Sequence, residues 1–161
     1  RKQQGLVMPL DVEQNLVMSS MNRVSTGGVL SPAKSRELAR DMVIKLSVAA
    51  SGLHTIVSTL RGGNQQKIVI GKWLNAQARV LLMDEPTRGI DIQAKDQVYR
   101  LVRDLAQQGV GIIFVSSELE EVLEVSDRIL ILNHGRVTAE LSGAEAKLEQ
   151  VLALTMAEVS I

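Results

Sequence analysis

The sequence predicts an α/β fold with a parallel sheet, joined to a helical lobe. Two short apolar runs, Val80–Met83 and Gly111–Val115, are bounded by turn signals and suit strands buried on both faces of a parallel sheet. A third run, Arg128–Asn133, follows, and helical stretches separate all three, so strand and helix alternate. The part of the chain ahead of Arg61 is helical in character.

The elements follow in order. Asp11 caps a helix over residues 11–21, with Gln14 three positions on as in a capping box and Val12, Leu16 and Val17 on one face. Residues 22–30, with Ser25, Thr26, Gly27 and Gly28, read as a loop. Ser31-Pro32 opens the next helix, along which Leu38, Met42 and Leu46 form a stripe. Residues 49–60 are irregular, with Gly52 as a breaker. Arg61-Gly62-Gly63-Asn64 is a turn, and a helix runs from Asn64 to about Ala76. After the first strand, Asp91 caps a helix that turns Ala94, Val98, Leu101, Val102 and Leu105 to one side, and Gly109 ends it. The second strand, a short helix over 118–125, the third strand and a His134-Gly135 hairpin turn into 136–141 come next. Ser142 caps a final helix through Leu148, Val151, Leu152 and Met156.

Composition removes several function classes. The chain has 161 residues and is 45% apolar and 22% charged, enough to bury a core and too apolar for wholesale disorder. Eighteen basic and eighteen acidic side chains cancel, and Trp73, Tyr99 and Phe114 are the only aromatics. Neither a basic footprint nor a stacking platform for nucleic acid is present, so no nucleic-acid partner is expected. With no cysteine, disulfides, thiolate metal sites and thiol catalysis are out. No apolar run approaches the ~20 residues of a membrane span. The chain opens without methionine and is expected to be a fragment of something longer.

Two segments carry chemistry. The run Val80–Met83 delivers Asp84 and Glu85 to the carboxyl edge of the sheet, where open α/β sheets bind ligands. Hard oxygen ligands there suit Mg²⁺ held with phosphate, and the adjacent carboxylate could polarise a water. Taken alone, the pair also fits a solvated strand end. Upstream, Leu60 to Lys67 places two glycines at a helix start, where backbone N–H groups can approach an anion closely. Taken alone, that segment also fits a plain glycine loop.

Together they resemble the ATP-binding subunits of ABC transporters. Gly62-Gly63-Asn64-Gln65-Gln66-Lys67 matches the signature motif, Val80 to Glu85 matches Walker B, and Gly89-Ile90-Asp91 matches the D-loop, in the right order and spacing. The wording of those segments, of Ser116-Ser117-Glu118-Leu119 and of the opening Arg1 to Leu6 is similar to the second half of tandem ATPases that power bacterial sugar uptake. The resemblance implies a partial P-loop NTPase core with a helical signature subdomain: residues 1–76 as the helical lobe, 77–161 as the Walker B, D-loop and switch part.

It further implies ATP and Mg²⁺ as ligands. Asp84 would hold the metal, Glu85 would polarise the attacking water, and Gly62, Gly63, Asn64 and Gln65 would meet ATP held on the opposite half. Asp91 would link the two sites. Implied partners are the N-terminal ATPase half of the same polypeptide, membrane permease subunits and, indirectly, a periplasmic sugar-binding protein. The location implied is the cytoplasmic face of the bacterial inner membrane.

Three departures stand out. No G-x-x-x-x-G-K-[ST] occurs, so Walker A is missing and the isolated chain is expected to be inactive. Arg61 stands where the family signature has serine, and Ser117 stands at the switch position that usually holds histidine. Arg61 could meet a phosphate as a charged fork or obstruct the interface. This half could therefore be a degenerate partner that completes its sister's site without hydrolysing. A soluble ABC protein outside transport is a further alternative. His54 and His134 are expected to be exposed or locally hydrogen-bonded, Trp73 to pack in the core, and Met18, Met21 and Met42 to be core or a permease-docking surface.

Overall fold

The structure is a computed structural model that describes residues 5–156. Its elements are α1 (Val12–Val17), α2 (Met21–Val24), β1 (Ser25–Thr26), β2 (Val29–Leu30), α3 (Pro32–Lys45), α4 (Gly62–Asn75), β3 (Val80–Asp84), α5 (Ile92–Gln107), β4 (Gly111–Val115), α6 (Leu119–Val125), β5 (Arg128–Asn133), β6 (Arg136–Ser142) and α7 (Leu148–Met156). They fall into two compact units, Arg1–Leu81 with Pro86–Ile112 and Leu82–Glu85 with Ile113–Ile161.

In the first unit, α1, α3 and α4 enclose a core of Val12, Leu16, Val17, Ala39, Met42, Leu46 and Ile68. The α1 capping box is formed as expected: the Asp11 carboxylate accepts from the Gln14 N–H and the Gln14 side chain accepts from the Asp11 N–H. The helix is shorter than its periodicity suggested and ends at Val17. Gly71 lets α4 approach closely, because a Cβ there would lie 2.8 Å from Leu16 Cδ2 and Met42 Cγ. Residues 22–30 hold more order than a loop. After the single turn of α2, β1 and β2 pair antiparallel around Gly27 and Gly28, both at positive φ as a tight hairpin turn requires.

All three long helices end in the same way. Past each last turn one residue enters the left-handed region: Ser47 after α3, Gln77 after α4 and Gly109 after α5. The next N–H bonds back to a carbonyl in the last turn, Val48 to Val43, Ala78 to Trp73 and Val110 to Leu105. Only the third of these ends carries a glycine.

β3 and β4 are hydrogen-bonded neighbours and run parallel. The Gly111 N–H donates to the Arg79 carbonyl at one end, and the Glu85 N–H donates to the Val115 carbonyl at the other. The expectation of burial on both faces is corrected. Leu81 and Met83 are buried, whereas Leu82 is 78% exposed, and Val80, Ile113 and Val115 on the same face as Leu82 are about half exposed. Among the described residues, one face of this pair is bare.

The third strand does not add to that pair among the described residues. β5 pairs antiparallel with β6, because His134 and Gly135 both adopt positive φ and turn the chain directly back. A register shift past Ile131 leaves Thr138 as the extra residue, its hydroxyl donating to the Ile131 carbonyl. Ile129 and Ile131 pack on Val151 of α7 in the core of the second unit. Ser142 closes β6 rather than capping a helix directly, and α7 begins six residues later at Leu148.

Candidate functional site

The segments expected to carry chemistry form two groups, one in each unit. In the first unit, α4 begins at Gly62, two residues earlier than predicted, and its N-cap residue Arg61 offers no side-chain cap. Gly63 sits against α5: a Cβ there would lie 2.7 Å from the Ala94 Cβ. The start of α4 therefore lays the bare Gly63 backbone directly against the Ala94 methyl at the start of α5. Asp91 serves both of them. Its Oδ1 accepts from the Ala94 N–H at 2.9 Å, capping α5, and its Oδ2 accepts from Arg61 Nη2 at 2.9 Å. The Ala94 bond first, and then the Arg61 charge, hold the Asp91 carboxyl below its ordinary range.

The remaining signature side chains face inward. Asn64 Oδ1 accepts from the Ala49 N–H, tying α4 to the preceding irregular segment. Gln65 is buried, and its amide donates to the Val57 and Leu60 carbonyls. Lys67 is buried too, with Nζ on the Ser47 carbonyl at the end of α3, where a cation complements the helix dipole. Burial pushes its pKa down. A groove of about 520 Å³ runs beside the signature segment, lined by Lys45, Arg61, Asn64, Asp91, Gln97 and Arg100 among others.

In the second unit, Asp84 closes β3 and is exposed. Glu85 follows at a φ of 47°, a left-handed conformation that costs a glutamate about 1–3 kcal/mol. Ser117 meets it from the loop after β4. The Ser117 N–H donates to Glu85 Oε1 at 2.7 Å and its hydroxyl donates to Oε2 at 3.2 Å. Ser116, which the sequence offers only within the Ser116-Ser117-Glu118-Leu119 wording and without a role, anchors that loop: its hydroxyl donates to the buried Glu121 at 2.8 Å and accepts from the Glu118 N–H. The sequence signals for it are that shared wording and a pair of hydroxyls ahead of an acidic helix start.

A lone strand-end carboxylate such as Asp84 fits Mg²⁺ better than a caged cation, since Mg²⁺ keeps most of its waters and takes others of its ligands from phosphate. No group of three or more acidic or histidine side chains able to hold a metal by itself occurs among the described residues.

The smaller expectations divide. His54 is exposed and bonds Asp11 at 3.1 Å, and His134 is an exposed turn residue. Trp73 is 47% exposed rather than core, with the Lys72 ammonium 5.0 Å from its ring; the α4 face that carries it points away from the bundle core. Met42 is core, whereas Met21 is half exposed. No helix among the described residues is long and apolar enough to cross a membrane.

No family model matches the chain. Curated proteins do. The chain is 45% identical over 156 residues to a ribose import ATP-binding protein of Streptomyces avermitilis, covering 97% of the chain and 30% of that protein. It is 41% identical over 152 residues to a xylose import ATP-binding protein of Geobacillus kaustophilus, covering 94% and 30%. It is 46% identical over 140 residues to an uncharacterized ABC transporter ATP-binding protein of Escherichia coli, covering 87% and 28%. The chain thus spans under a third of the length of each of these relatives. Among solved structures, an inward-facing metal-chelate type ABC transporter superposes with a TM-score of 0.75 at 21% identity, over 91% of this chain and 58% of that one. A dimeric ATP-binding cassette in a post-hydrolysis state with ADP and Pi superposes with a TM-score of 0.67 at 22% identity, over 88% and 60%. Over nearly its whole length the chain is therefore homologous to a part of the ATP-binding proteins of ABC transporters, and it has the fold of their cassettes.

Proposed function

We propose that this chain is part of the second ATPase half of a sugar-importing ABC transporter, contributing a signature segment to one composite ATP site and the Walker B carboxylates to the other. The observation that carries this reading is similarity to ribose and xylose import ATP-binding proteins over nearly the whole chain, motifs included. In this reading residues 1–76 form the signature lobe and 77–161 the Walker B part. Asp84 holds Mg²⁺, directly or through water, and Glu85 polarises the attacking water. The backbone amides of Gly62, Gly63 and Asn64 meet the γ-phosphate of ATP held on the sister half. Mg²⁺, when bound, neutralises charge on the phosphates. The sister half in the same polypeptide, the permease and, indirectly, a periplasmic sugar-binding protein are the partners, at the cytoplasmic face of the membrane.

Calorimetric titration of Mg-ATP into this chain, beside a longer form that restores a Walker A segment, tests the split site. Binding by the longer form alone is expected, and comparable binding by the short chain would sink the assignment. A second reading, a half that completes its sister's site without hydrolysing, is favoured by Arg61 and Ser117 at the two departing positions. Glu85→Gln in the whole transporter separates the two: near-total loss of ATP turnover supports hydrolysis here, and unchanged turnover supports the silent partner.

A further inference from the structure

We infer that Ser117 is the positioning residue for Glu85, a role that rests on the reading of Glu85 as the water-polarising carboxylate. Three hydrogen bonds from the end of β4 and the loop beyond it fix Glu85. The Val115 carbonyl accepts its N–H at 2.9 Å, the Ser117 N–H reaches Oε1 at 2.7 Å, and the Ser117 hydroxyl reaches Oε2 at 3.2 Å. One residue therefore grips both carboxylate oxygens and sets the plane of the group as well as its swing. A carboxylate has about four lone-pair sites, so this grip leaves acceptor capacity for a water.

The grip is itself anchored. Ser116 donates to the buried Glu121 and accepts from the Glu118 N–H, which sets the turn that aims the Ser117 N–H and hydroxyl at Glu85. Glu85 sits in a left-handed conformation that a glutamate keeps only when its surroundings over-determine it. Residues 115–117 supply three hydrogen bonds among those surroundings, so displacing this segment releases the acid from them. Serine at 117 thus acts as a fixed hydrogen-bonding clamp at the switch position.

Two measurements test this. In the chain itself, NMR of the Ser117 amide reads the grip. Glu85→Ala is expected to move that amide proton upfield more than any amide outside residues 83–87 and to speed its hydrogen exchange. An unmoved Ser117 amide overturns the proposal. In the whole transporter, Ser117→Ala is expected to lower kcat for ATP about tenfold at unchanged KM, as loss of orientation does. Ser117→Thr, which keeps the hydroxyl, is expected to restore it. Wild-type kcat in Ser117→Ala, with turnover abolished by Glu85→Gln, overturns the positioning role and leaves the ATPase reading intact. Wild-type turnover in Glu85→Gln overturns that reading instead, and the positioning role in catalysis with it, whatever the amide shows.

Discussion

The α1–α3–α4 bundle and the β3–β4 pair are both built from strongly apolar segments, yet they use them differently. The bundle closes on itself: Val12, Leu16 and Ile68 are fully buried, and Gly71 removes the last obstacle to contact. The strand pair covers one face and on the other leaves Leu82 largely exposed and Ile113 and Val115 about half exposed. A near-continuous apolar run is the composition of a strand covered on both sides. The bundle therefore carries its own partners, whereas the strands carry apolar surface for a layer that the described residues do not supply.

The largest expected effect breaks the bundle side of this contrast. Leu16→Ala should cost about 2–5 kcal/mol in urea unfolding, because the site is enclosed and collapses poorly. The same experiment on Leu82→Lys should show a change within about 0.5 kcal/mol. That variant should also reduce self-association in sedimentation, since it places charge on the bare face. A large loss of stability in Leu82→Lys would mean the face is covered.

A middle-sized effect comes from Gly71→Ala. Alanine favours a helix by about 1 kcal/mol over glycine. Here its Cβ would lie 2.8–2.9 Å from three side-chain carbons, and overpacking of this kind costs about 1–3 kcal/mol. Net destabilisation in urea unfolding is expected; stabilisation would show that the bundle yields easily.

The smallest effect concerns the junction of the α4 and α5 starts. Asp91 titrates below its usual 3.8 in the fold, so the unfolded chain binds the proton more tightly. Its stabilisation is complete above 3.8 and fades as pH falls through the depressed folded value. Asp91→Asn keeps a capping residue and removes the charge, so its melting temperature should fall less on acidification than that of the parent. Arg61→Ala should alter the acid response less than Asp91→Asn does, because the Ala94 bond outranks the arginine and an exposed ion pair contributes little. Equal responses would reverse that ranking.

Much of this was legible from residues alone. The capping box at Asp11, the cap at Asp91, the glycine stop at Gly109 and the His134-Gly135 turn each use a side chain or backbone preference that names its own structure. The stops at Ser47 and Gln77 were hidden, because neither residue advertises a left-handed conformation. The α2 turn and the β1–β2 hairpin were hidden because four polar or glycine residues mark a turn without revealing what pairs across it. Of the candidate site, sequence placed Asp84 and Glu85 at the end of a strand. It could not show Ser117 on Glu85 or Arg61 on Asp91, since partners 32 and 30 residues apart meet only through tertiary packing.

The backbone of Glu85 has a consequence for how such a chain can age. Its φ of 47° suits glycine or asparagine far better than glutamate. Considered for its backbone alone, any copy that drifts to glycine at this position becomes more comfortable while it loses its acid. If Glu85 polarises the attacking water as proposed, relief of local strain and loss of chemistry point the same way, which is the usual direction of a stability–activity trade-off. On the proposed reading, the site can fall silent with relief rather than strain in its main chain at this position, and the demand for turnover opposes that slide.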